Sequence, residues 1–168
     1  MKEIMDEAQI ARTLKRLAHE IIESHPDLDK LLLVGIKTRG EAIAERLKRN
    51  IRILTGVEVE TVSFDFHEYR DDVISENASP LPFEVIDRIV ILVDDVLFEG
   101  RTIRAAMDGV MHRGRANKIE AAVLVDRGHR KLPIRADYVG KNIPTSINEK
   151  VAVHLKEYDD EDKVIIID

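Results

Sequence analysis

Residues 90–102 read VILVDDVLFEGRT, and this stretch decides the fold. Arg88–Val93 is apolar after its first residue and predicts a short strand buried on both faces. Asp94 and Asp95 follow, and are expected to leave the strand together and bring both carboxylates to the rim of a sheet. Gly100 permits a tight turn, and Thr102 to about Arg113 predicts a helix closed by Gly114. A glycine leading into a helix N-terminus makes a ready anion site, because the first backbone N–H groups of a helix lack partners. Vicinal carboxylates suit the two hydroxyls of a sugar or a hydrated cation. One turn therefore offers a diol site and a phosphate site a few residues apart.

Two other readings fit the same stretch. One is a plain polar strand-to-helix turn with capping aspartates. The other is a response-regulator receiver, whose paired acids also follow an apolar strand. Receivers carry that pair near the start of the domain, whereas here a full strand–helix–strand unit comes first.

That unit begins with KLLLVGI, residues 30–36, a near-continuous apolar run typical of a strand covered on both faces. Lys37-Thr38-Arg39-Gly40 turns into a helix predicted from Glu41 to about Leu54, and Val57–Phe66 alternates as a strand. Fixed cations and a glycine suit KTRG to a polyanion such as diphosphate. A simple surface turn fits KTRG equally well when it is taken alone. Residues 67–86 are polar and aperiodic, as binding loops and lids are.

Upstream, Asp6–Ser24 predicts a helix with Asp6 as cap and Gln9 at the capping-box position. Ile10, Leu14, Leu17 and Ile21 share one face, and Arg12, Lys15, Arg16 and His19 the other. Downstream, strands are predicted at 118–125, 136–139, 150–154 and 164–167, with a basic turn at 126–131 and an acidic turn at 159–162. Strands alternating with helices predict an α/β fold: a mostly parallel central sheet flanked by helices, in one domain over 1–168. Ligands of such sheets sit beyond the carboxyl ends of the strands, where both KTRG and the aspartate pair fall.

Composition narrows the classes. The chain has 168 residues, 44% hydrophobic and 35% charged, which predicts a globular protein rather than a disordered one. Without cysteine there is no disulfide or thiolate metal site, as expected of a cytoplasmic protein. The opening MKEIMDEAQI has no apolar signal core, and no run approaches the ~20 residues of a membrane span. A net charge of −6 restricts any nucleic-acid surface to a local basic patch.

VILVDDVLFEGRT resembles the phosphoribosyl-pyrophosphate (PRPP) motif of type I phosphoribosyltransferases. GIKTRG, EYRDD and the run LVDRGHRKLPIRADYVGKNIPTS, residues 124–146, narrow the resemblance to the PyrR family. These are bifunctional pyrimidine-operon attenuation regulators and uracil phosphoribosyltransferases. The resemblance covers nearly the whole chain and implies the type I fold with a flexible hood loop.

It also implies roles. Asp94 and Asp95 would bind the ribose hydroxyls, and Val96, Leu97, Phe98, Glu99, Gly100, Arg101 and Thr102 would form the PRPP loop, with Gly100–Thr102 cradling the 5′-phosphate. Lys37, Thr38, Arg39 and Gly40 would hold diphosphate, Arg39 joining the two aspartates in catalysis. Arg70, Asp71 and Asp72 would belong to the hood. Val139, Gly140, Lys141, Asn142 and Ile143 would present backbone groups to uracil, and Arg127 would join the substrate-binding residues. Magnesium (Mg2+) would arrive with PRPP, and no protein metal site is expected. Leader mRNA of pyrimidine genes, bound more tightly with UMP or UTP, would meet Arg12, Lys15, Arg16 and His19 and a second cluster of Arg130, Arg135 and Lys141. The assembly would be a homodimer or a tetramer. Low aromatic content, 4%, favours folded RNA read by shape over base stacking.

Glu99 departs from the motif, which usually has threonine there. A carboxylate ~5 Å from phosphate at an effective dielectric of ~20 costs roughly 3 kcal/mol per charge pair. Turned to solvent or paired with Arg101, it costs under ~1 kcal/mol. Two functions therefore stay open: an active uracil phosphoribosyltransferase, or an RNA-binding regulator with weakened transferase activity.

Overall fold

The computed structural model describes residues 1–71 and 79–168, so the expectation for Asp72 lies outside the described residues. Among them, a five-stranded sheet holds β2 (Leu31–Ile36), β3 (Glu60–Phe64), β4 (Ile89–Leu97), β5 (Lys118–Asp126) and β6 (Tyr138–Asn142). Its order is β3-β2-β4-β5-β6 and every pairing is parallel. The predicted α/β class is the observed one.

The fully buried runs of β2 and β4 follow from helices packed on both faces. Leu31, Leu33, Ile91 and Val93 join a core with α1 (Glu7–Ser24) and α2 (Arg39–Thr55). Leu32, Val34, Val90 and Leu92 face the opposite way, toward α3 (Arg101–Arg113), Phe66 and Leu81. Strand periodicity of two thus divides one apolar sequence between two cores. The capping box on α1 is present, with Gln9 N–H donating to Asp6 and Asp6 N–H to the Gln9 side chain, each at 2.8 Å.

Connections from β2 and β4 run in opposite directions, β2 through α2 to β3 and β4 through α3 to β5. Their carboxyl ends therefore flank a topological switch point, where an open α/β sheet leaves a crevice.

The structure revises several boundaries. β4 continues through Leu97, so Asp94 and Asp95 lie within the strand instead of leaving it. Pairing of Asp94 with Val123 and Val96 with Val125 keeps them there, because β5 is equally long. The strand expected at 136–139 begins at Tyr138 and extends to Asn142. A second, antiparallel sheet of β1 (Lys2–Met5), β8 (Lys163–Ile167) and β7 (Lys150–His154) was not expected. The stretch read as an acidic turn at 159–162 begins as the end of a short helix, α4 (Lys156–Asp159).

Candidate functional site

The two loops at the switch point touch. A Cβ on Gly40 would lie 2.3 Å from the Val93 carbonyl oxygen and 3.2 Å from the Asp94 Cα. Only glycine lets the start of α2 press against β4 beside the aspartates. Lys37 and Thr38 are exposed and Arg39 is half-buried. The Lys37–Thr38 peptide bond is cis.

Asp94 is buried and Asp95 half-buried. Asp94 accepts from the Asp95 N–H at 2.9 Å, and Asp95 accepts from the Val96 N–H at 2.8 Å. Burial, and then the neighbouring charge of Asp95, push the Asp94 carboxyl well above the usual carboxylate range. A buried, proton-favouring carboxyl beside a second acid is a strained arrangement, suited to a ligand rich in hydroxyls.

A cleft of about 180 Å³ opens beyond Asp94. It is lined by Arg70, Asp94, Val96–Gly100 and Arg101–Ile103. Gly100 takes φ +98° as the residue before α3, a left-handed conformation that favours glycine. Every carbonyl from Leu97 to Gly100 is tied back. Leu97 accepts from the Arg127 N–H at 3.1 Å, Glu99 from the N–H groups of Lys131 and Leu132 at 2.9 and 3.2 Å, and Gly100 from Arg104 within α3. Phe98 accepts from the Arg130 guanidinium at 2.8 Å. With its acceptors held, the loop leaves the first N–H groups of α3 as its available donors.

The basic turn is thus a brace for the loop. Arg127 is buried, lies over the Phe98 ring at 3.9 Å, and donates to the Glu149 carbonyl at 2.5 Å and the Thr145 hydroxyl at 3.3 Å. Arg130 also donates to the Ile134 carbonyl and to Asp126, at 2.8 and 2.6 Å. The sequence carried no sign that these cations face inward. A basic run looks the same whether it meets solvent or carbonyl groups.

Arg39 is drawn to the C-terminal hairpin. It donates to both Asp159 oxygens, at 2.9 and 3.1 Å, and its guanidinium lies 5.6 Å from the Tyr158 ring centre. Tyr158 donates its hydroxyl to the Thr38 carbonyl at 2.9 Å. Sequence reasoning missed this support, because α4 is too short to show a period. Arg46 beneath it pairs with Glu157 and with Asp162, the latter at 2.8 Å. Its guanidinium pKa ends above the ordinary value, since those partners outweigh the lowering by burial.

Glu99 pairs with Arg101, Nε to Oε1 at 3.3 Å, and Arg101 donates from Nη1 to Asp71 at 2.6 Å. Residues 139–142 lie in β6 beside β5, and Ile143 follows the strand. Val139 is half-buried, Lys141 exposed and Ile143 buried. The Ile143 N–H already donates to the Asp126 carbonyl at 2.8 Å. Arg12, Lys15, Arg16 and His19 are exposed on α1. Arg16 pairs with Glu20 at 2.5 Å and donates to the Gly140 carbonyl, so this face adjoins Lys141 within one chain. Arg135 is exposed.

The family model for the phosphoribosyl transferase domain matches residues 1–158. The chain is 49% identical to the bifunctional protein PyrR of Streptococcus mutans, over 99% of this chain and 95% of that one. It is 52% identical to the bifunctional protein PyrR of Streptococcus pneumoniae, over 98% and 96%. The chain belongs to the PyrR family. Its fold is shared more widely than the PyrR family. A hypoxanthine-guanine phosphoribosyltransferase of Bacillus anthracis superposes with a TM-score of 0.78 at 17% identity, over 99% of this chain and 98% of that one. The hypoxanthine phosphoribosyltransferase of Trypanosoma cruzi gives 0.75 at 20% identity, over 99% and 89%. At such identities the likeness speaks to fold alone, and PyrR membership rests on the sequence relatives. Among the described residues no helix is long and apolar enough to cross a membrane.

Proposed function

We propose that this chain regulates pyrimidine synthesis by binding leader mRNA in response to UMP or UTP, and catalyses uracil + PRPP → UMP + diphosphate. The observation that carries the transferase half is a strained acidic pair followed on the same strand by the glycine-led N-terminus of α3, with the KTRG turn pressed against the pair across the switch point.

In this reading Asp94 and Asp95 hold the ribose hydroxyls and orient the anomeric carbon. The backbone donors after Gly100, with Thr102, receive the 5′-phosphate. Lys37–Gly40 faces the leaving diphosphate, and Arg39 reaches it by exchanging Asp159 for the ligand. As the C1′–oxygen bond breaks, positive charge develops on the ribose, N1 of uracil attacks and its proton leaves. Positioning and charge stabilisation do most of the work. Among the described residues no group of three or more His, Cys, Asp or Glu side chains is placed to hold a metal. The donors fit a cation carried in by PRPP, with Asp95 at hand. Magnesium then supplies charge neutralisation on the diphosphate.

For RNA, the exposed residues of α1 and the adjoining Lys141 form one basic surface, with Arg135 separate. Arg130 is a poor RNA candidate, since its guanidinium holds the PRPP loop. A homodimer would double the surface. Purified protein is expected to form UMP from uracil, PRPP and Mg2+, and to bind a pyrimidine-gene leader hairpin more tightly with UMP. Arg12→Glu with Lys15→Glu should weaken RNA binding and spare UMP formation. No UMP at saturating PRPP would refute the transferase half. RNA affinity unmoved by the double reversal would refute the surface.

A further inference from the structure

The cleft is lined by two cations, Arg70 and Arg101, and two acids, Asp94 and Glu99. Arg101 is held on two edges, by Glu99 at Nε and by Asp71 at Nη1. Its side chain is 39% exposed and that of Glu99 32%, so both groups can reach a ligand in the cleft. A guanidinium offers a phosphate a planar fork of donors. Here carboxylates already occupy that fork, and the Glu99 backbone cannot drift away because two N–H groups hold its carbonyl.

We propose that Glu99 is an internal competitor for phosphate, a specificity-determining residue that lowers the site's affinity for 5′-phosphorylated ligands without touching its hold on the sugar and base. The inference rests on reading this cleft as a nucleotide site. An incoming phosphate meets Arg101 by displacing Glu99 or Asp71, and still faces the Glu99 charge. A nucleoside without phosphate meets neither cost. Because Glu99 is partly exposed and paired with Arg101, solvent screens the penalty to about fivefold in affinity.

Calorimetry of the full chain with UMP and with uridine tests this, using Glu99→Gln and Glu99→Thr. Glutamine keeps the shape and removes the charge, so it covers the case in which threonine disturbs the loop. Both variants should bind UMP about fivefold more tightly, with uridine affinity changed less than about twofold. In the assay with uracil and PRPP, the effect should fall on the KM for PRPP and not on that for uracil. UMP affinity unchanged or weakened in both variants, or uridine tightening as much as UMP, would overturn the competitor role while leaving the nucleotide site in place. If neither the parent chain nor any variant binds UMP or PRPP, the nucleotide-site reading itself fails, and this inference with it.

Discussion

The central sheet carries a buried carboxylate near each of its ends, and the two are treated in opposite ways. Asp94, near the carboxyl end of β4, is buried beside a second acid. Glu120, near the amino end of β5, is buried at 5% exposure and surrounded by donors. His25 lies 2.6 Å from Glu120, the Tyr138 hydroxyl donates to it at 3.0 Å, and Lys118 lies 3.2 Å away. Burial by itself would raise the Glu120 pKa, but His25, Tyr138 and Lys118 outweigh it, so the carboxyl ends below its ordinary value. Burial, with the nearby carboxylate, pushes the Tyr138 hydroxyl up to about 12. One end surrounds its carboxylate with donors from within the fold, and the other sets it beside a second acid. Buried polar groups without complete internal partners mark function more often than stability.

The largest effect that would test this contrast is on catalysis. Asp94→Asn with Asp95→Asn should lower UMP formation on the order of 10²–10³-fold in a steady-state assay, with the fold intact by circular dichroism. Full activity in that double variant would end the contrast, since the frustrated acids would then serve nothing.

Next is the loss of Glu120. Glu120→Ala breaks a buried, hydrogen-bonded pair and should cost about 3–5 kcal/mol in denaturant unfolding, while the folded protein keeps its rate of UMP formation. The sign with pH follows from the lowered pKa. Glu120 contributes stability above its unfolded value, near ~4.3, and that contribution is lost as pH falls through the lower folded value. The alanine variant should therefore show a shallower loss of stability on acidification.

The smallest effect has the opposite sign. Asp94→Asn alone keeps the acceptor for the Asp95 N–H and removes the buried charge. It should raise stability by about 1 kcal/mol at neutral pH, a shift of roughly 2–4 °C in melting temperature. With a raised folded pKa, Asp94 contributes stability below the ordinary carboxylate value, and loses it as pH rises through the raised one. The gain from asparagine should therefore vanish in acid. A destabilised Asp94→Asn at neutral pH would show that the acidic pair is not strained.

Much of this was legible beforehand. Apolar runs at 31–36 and 90–93, glycines at 40 and 100, and the capping box at Asp6 and Gln9 each carry their structure in local chemistry, so strand, turn and helix could be read directly. The aspartate pair, the KTRG turn and the cation beside Glu99 were legible for the same reason. Less visible was the direction taken by long side chains. Arg127 and Arg130 look like a binding surface in sequence but turn inward, Arg127 to the Glu149 carbonyl and the Phe98 ring, and Arg130 to the Phe98 carbonyl.

Local sequence by itself determined the α/β order, the two loops at the strand ends and the departure at Glu99, because periodicity, turn chemistry and charge act over a few residues. Tertiary structure alone decided which charges find partners. His25 meets Glu120 across 95 residues and Arg39 meets Asp159 across 120, and no local pattern records such pairings. It also decided that β4 runs on through the aspartates, because β5 offers a full-length partner, and that Arg101 lies between Glu99 and Asp71. Burial and partnership are properties of the packed chain, and they separate the well-partnered Glu120 from the strained Asp94.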